Sequence, residues 1–134
     1  MSQYPEAIKP EMVGEYDWFC HSGAGYFYDE VLEYRVWCHP EHGATDENDG
    51  DDYCNAFETY EEALAFSQST KGAEKPLVLV RQIESINEPS PNIFLHFIEQ
   101  RITEWQVAWL DGSKREDDSI AKFLAEKNSG KLNE

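Results

Sequence analysis

The sequence predicts an α+β fold: a single domain with a mainly antiparallel sheet and about two helices packed on one face. Three observations predict it. Short apolar stretches at Val31 to Cys38, Leu77 to Val80 and Arg101 to Leu110 have the length and the β-branched or aromatic content of strands. Two other stretches, after Thr59 and after Asp118, carry their apolar residues at helical spacing. The order of these stretches, strands, a helix, more strands and a terminal helix, is that of an antiparallel sheet with helices laid against it.

Taken in order, residues 1–14 hold Pro5, Pro10 and Gly14 with little periodicity and predict an irregular N-terminal arm. Residues 15–127 form the domain. Tyr16 to Cys20 is short, aromatic and strand-like, and Ser22-Gly23-Ala24-Gly25 then interrupts it with small residues. In Val31 to Cys38, alternation puts Leu32, Tyr34, Val36 and Cys38 on one face. It puts Glu33 and Arg35 on the other, with Val31 and Trp37 at its ends. Pro40 and Gly43 stop this strand, and Thr45 to Asp52, with five acids in eight residues, reads as a solvated loop. Tyr53 to Phe57 returns to the sheet. Thr59-Tyr60-Glu61-Glu62 is a capping-box pattern and opens a helix running to about Thr70, with Gly72 as its stop. Leu77 to Ile86 begins as a continuous apolar run, the mark of a strand buried on both faces. Asn87 to Asn92 reads as a turn, and Ile93 to Ile98 and Arg101 to Leu110 as further strands, the Trp105 and Trp109 stripe being core. A last helix spans about Asp118 to Lys127, and residues 128–134 read as a frayed tail.

Charge excludes some functions. Against 11 basic residues stand 27 acidic ones, and a net charge of −16 repels phosphate backbones and anionic lipid. Direct nucleic-acid binding and membrane association are therefore not expected. The polar start and the absence of an ~18-residue apolar run point the same way, and three cysteines without a secretory signal suggest reduced thiols and a cytoplasmic location.

The chemistry is concentrated between Tyr16 and His42, which hold eight of eighteen aromatics, three of four histidines and two of three cysteines. Cys20, His21, Ser22 and His39 are the residue types of a nucleophile and its base, although no G-x-S-x-G elbow surrounds Ser22. No paired C-x2-C or H-x3-H spacing announces zinc, so no metal and no cofactor is expected. Setting Gly50 at the glycine of a calcium loop puts Thr45 and Ala56 where carboxylates are required. The P-loop and the dinucleotide fingerprint are absent as well.

The strings from Asp17-Trp18-Phe19-Cys20-His21-Ser22-Gly23-Ala24-Gly25-Tyr26-Phe27-Tyr28 through Val36-Trp37-Cys38-His39-Pro40-Glu41-His42-Gly43, with Phe57 to Ala63 and Arg101 to Trp105, resemble a family of short uncharacterised bacterial proteins. Members sometimes carry a GCN5-type acetyltransferase label. The resemblance implies a bacterial cytosolic protein, with acyl transfer as the one enzymatic class it suggests. The pyrophosphate turn of that superfamily, Q/R-x-x-G-x-G/A opening a helix, is absent here.

The leading expectation is a small acidic protein acting on a protein or small molecule through a binding surface. Gly23 and Gly25 give that surface its shape, and Tyr26, Phe27 and Tyr28 are its aromatic anchors. An acyltransferase-like enzyme and an acidic mimic of nucleic acid are the alternatives.

Overall fold

A computed structural model describes residues 3–132 of the chain. The strands are β1 (His21–Ser22), β2 (Glu30–Cys38), β3 (Tyr53–Phe57), β4 (Leu77–Gln82), β5 (Ser85–Ser90), β6 (Ile93–Phe97) and β7 (Arg101–Gln106). The helices are α1 (Tyr60–Ser69) and α2 (Ser119–Leu132). One sheet has the order β1-β7-β4-β2-β3, antiparallel except for the parallel pair of β1 and β7, and β5 with β6 forms a separate hairpin. This is the α+β architecture that the apolar patterns predict.

The continuous run of β4 lies at the middle of the larger sheet, where both faces are covered. Val78, Leu79 and Val80 are all fully buried. On one face Val78, Val80 and Trp105 meet Tyr34, Val36 and Cys38 of β2, and Ala63 of α1 joins this cluster, with Tyr60 and Phe66 packed against it. Thr59 starts α1 as predicted, its hydroxyl accepting the Glu62 backbone N–H. The reciprocal half of the cap differs, because the Glu62 carboxylate accepts a hydrogen bond from the Thr59 hydroxyl instead of one from the Thr59 backbone.

Strict alternation fails in β2. Val31 pairs with Val80 while Tyr34 pairs with Val78, so a bulge at Leu32 turns Val31 to the same face as Tyr34. Glu33 and Arg35 do lie on the opposite face, yet that face is not solvated. Residues 14–18 cross it: the Gly14 N–H donates to Glu33, the Arg35 guanidinium donates to the carbonyls of Asp17 and Trp18, and the Trp18 ring meets Trp37 edge-on. For this reason Tyr16 to Cys20 is an irregular strap rather than a strand, since its carbonyls are taken by Arg35 instead of a ladder. The N-terminal arm is irregular too but anchored. Ala7 donates to Glu58, Ile8 to Val31, and the Tyr34 hydroxyl to the Pro5 carbonyl.

Three further boundaries move. Asn87 to Ser90 belongs to β5, and the turn contracts to Pro91 and Asn92, the latter at φ 66°. The last strand ends at Gln106, and Val107–Leu110 winds into a 3-10 turn. Helix α2 continues through residues 128–132, where a frayed tail was predicted, while residues 133 and 134 lie outside the described residues. Phe123 of α2 packs against Tyr26, Phe27 and Phe94. No helix among the described residues is long and apolar enough to cross a membrane.

Candidate functional site

The small-residue segment after β1 forms the floor of an open groove of about 670 Å³. Three segments line it: Gly23 to Tyr26, Ile86 to Glu88 of β5, and the 3-10 turn with its exit at Ala108, Trp109, Asp111 and Ser113, with Trp105 of β7 below. The floor is pinned from beneath by Gln82 of β4, a fully buried amide. Its Nε2 donates to the Ala24 and Phe27 carbonyls, both at 2.9 Å. Its Oε1 accepts from Arg101 Nε at 2.8 Å and Thr103 Oγ1 at 2.7 Å. Every hydrogen-bonding position of that side chain is thereby used. The Trp105 indole N–H adds a second bond to the Ala24 carbonyl at 2.8 Å, and the Gly25 carbonyl accepts the Ile86 N–H at 3.0 Å.

This architecture explains the glycines. Gly23 and Gly25 have φ of 68° and 106°, in the left-handed region. A Cβ on Gly25 would lie 2.0 Å from Gln82 Nε2, so a side chain there and the amide beneath it exclude each other. Tyr26 also takes positive φ, at 65°, without the freedom of glycine, and its hydroxyl donates to Glu88 across the groove. That bond first, then partial burial, raises the phenol above its ordinary pKa, and the same bond lowers Glu88.

The predicted anchors separate. Tyr26 is 44% exposed and lines the groove. Tyr28 is 5% exposed, in edge contact with Trp105, so its position inside the core corrects its expected role as a contact residue. Phe27 is half-buried against Phe123 and is not a groove residue either. The converse correction applies to Trp109. Strand alternation assigned it to the core with Trp105, but the 3-10 turn swings it out, and it stands 42% exposed in the groove wall. Glu88 and Asp111 are further groove residues that the sequence did not single out. Asp111, beside Gly112 at φ 73°, sits in a turn signal that marks an exposed loop end.

Among the candidate catalytic residues whose side chains are described, His39 does not meet Cys20 and Ser22. Cys20 and Ser22 are exposed near β1 at one sheet edge, and His39 follows β2, three strand spacings away, roughly 14 Å. The His21 side chain lies outside the described part of the structure. Desolvation, outweighing the pull of Arg35, raises the Cys20 thiol above its usual value, which opposes thiolate formation. Burial likewise raises Cys38 and pushes Cys54 up to about 12. A disulfide-exchange reagent should therefore titrate Cys20 alone in the native protein, more slowly than a free thiol, and all three cysteines in urea. Rapid labelling of Cys20 by quantitative thiol assay would contradict this assignment.

His39 is a staple, not a base. Nδ1 meets Asp52 at 2.8 Å and Nε2 meets Glu74 at 3.0 Å, so both ring nitrogens donate and the imidazolium is favoured. The Asp52 bond, followed by that to Glu74, raises its pKa above the ordinary value. A raised folded-state pKa contributes stability fully below the unfolded value near ~6.5 and loses it as pH climbs through the folded value. His39→Gln should therefore cost more stability at pH 5.5 than at pH 9, measured by urea unfolding of both proteins at each pH. An equal cost at both would remove the charged staple. His42 is exposed. Among the described residues no group of three His, Cys, Asp or Glu side chains is placed to hold a metal ion.

No protein-family model, curated protein or solved structure matches the chain.

Proposed function

We propose that the chain is a small cytoplasmic binding protein whose contact surface is the groove around Gly23 to Gly25. The observation that carries this reading is the groove itself. It is concave and large enough for a small molecule or the tip of a peptide, and the half-exposed Tyr26 and Trp109 belong to its lining. Its floor is held by Gln82 and Trp105, so little ordering remains to oppose binding. Three free thiols fit a reducing compartment.

Acyl transfer from a coenzyme A thioester has less support. The acidic residues in the lining are Glu88 and Asp111, and among the described residues no lysine or arginine belongs to the lining to receive a pyrophosphate. The thiols and His39 are also occupied or protonated as described.

A fragment screen followed by amide and indole NMR tests the binding reading. Shifts should concentrate at the Gly23 and Gly25 amides and the Trp109 indole N–H. Trp109→Ala should weaken a groove ligand about tenfold or more, for a truncation cost of ~1–2 kcal/mol. Shifts scattered over the surface, or ligands indifferent to Trp109→Ala, would set the reading aside.

A further inference from the structure

We propose that the groove selects a cationic ligand, an organic ammonium carried on a compact apolar or aromatic body. This rests on the binding reading above and adds the chemistry of the occupant. Tyr26 and Trp109 line the groove with about half of each residue exposed, and indole and phenol rings attract a cation set over their faces. Two carboxylates, Glu88 and Asp111, share the same lining. Among the described residues neither has a lysine or arginine within ion-pair distance.

Glu88 is oriented. One oxygen accepts the Tyr26 hydroxyl and the other the Asn92 N–H at 3.0 Å, which holds the group ionised at neutral pH. The neighbouring cations are directed elsewhere. Lys127 is near enough to lower the Glu88 pKa, yet its ammonium stands over the Phe94 and Phe123 rings at 5.6 and 5.2 Å. Arg101 belongs to the inner side of the loop. It approaches the side of Gly25 that a Cβ would occupy, donates to Gln82 and lies 5.0 Å over the Phe97 ring. A net charge of −16 adds a field that concentrates cations and repels anions. An ammonium therefore meets both aromatic and acidic residues in the lining, whereas an anion meets repulsion from every charged residue there.

Three benzyl or phenyl probes that carry a positive, no and a negative charge test this: benzyltrimethylammonium, benzyl alcohol and benzoate, titrated into the full chain at low and moderate salt. The expected result is a response at the Trp109 indole and the Gly23 and Gly25 amides that is roughly tenfold tighter for the cation than for the alcohol. Benzoate should be weakest, and salt should erode the preference. Asp111→Asn should lower the affinity for the cation several-fold and leave benzyl alcohol unchanged, and Glu88→Gln should do the same if Tyr26 keeps its place. Equal or tighter binding of the alcohol or benzoate at these signals overturns the charge selection and leaves the groove reading standing. A cation response unchanged in Asp111→Asn and Glu88→Gln also overturns it, because attraction would then come from the diffuse field. Silence from all three probes overturns the ligand class, and the fragment screen decides separately whether the groove binds at all.

Discussion

Replacing Arg35 with methionine should destabilise the protein by about 3–5 kcal/mol, the scale for breaking a buried ion pair from one side. Arg35 is fully buried, donates to Glu33 at 2.7 Å and Glu104 at 3.3 Å, and holds the strap through the Asp17 and Trp18 carbonyls. Without it the Glu33 carboxylate remains buried with, among the described residues, only the Gly14 N–H, at 2.8 Å, and the strap loses its anchor. Much of the loss is the cost of the stranded carboxylate, so Glu33→Gln added to Arg35→Met should recover part of the stability, since a neutral amide still accepts from Gly14. Urea unfolding of the single and double variants measures both effects. A small loss in Arg35→Met, or none recovered in the double variant, would mean that packing and not charge governs this face.

Substituting Gly25 with alanine should cost roughly 2–5 kcal/mol through backbone strain and overpacking together. At φ 106° the residue is strained by any side chain, and the new Cβ would collide with Gln82 Nε2. Displacing Gln82 would leave Arg101, Thr103 and Phe27 with unmet hydrogen bonds, while the Ala24 carbonyl would keep only the Trp105 indole N–H. Gly50→Ala is the matched control, with φ at 82° and nothing within 4 Å of the added carbon, so it should register strain alone, about 1 kcal/mol. Comparing the thermal or urea midpoints of the two variants isolates the contribution of the pinned floor. The Trp109 indole signal in Gly25→Ala then reports whether the groove keeps its shape. If Gly25→Ala is no worse than Gly50→Ala, Gln82 does not brace the loop as described.

The particular residues show which features were legible in the chain. Leu77 to Val80 announced a strand covered on both sides, because only such a position rewards four consecutive apolar side chains. Thr59 and Glu62 marked a helix start because the orphan N–H groups of a first turn are satisfied locally, within three residues. Ser22 to Gly25 marked a tight loop, since small residues and positive φ are local demands that only a few side chains meet.

What lay beyond the sequence depends on contacts between distant segments. The Leu32 bulge follows from the register of β2 against β4 and breaks an alternation that looks regular in the chain. The depth of Glu33 and Arg35 is set by residues 14–18 crossing their face, a long-range closure that charge patterns read as exposure. Trp109 and Tyr28 exchanged their expected places for the same reason. A 3-10 turn after Gln106 rotates one ring outward, and packing beside Trp105 draws the other in. The sequence by itself determined the fold class, the helix cap and the location of the loop, because these rest on period and on interactions spanning a few residues. Only the tertiary structure decided which aromatic rings and carboxylates share the groove, because Glu88, Trp109 and Asp111 are brought to Gly23 to Gly25 by strand pairing across some sixty to ninety residues of chain, and no local rule encodes that meeting.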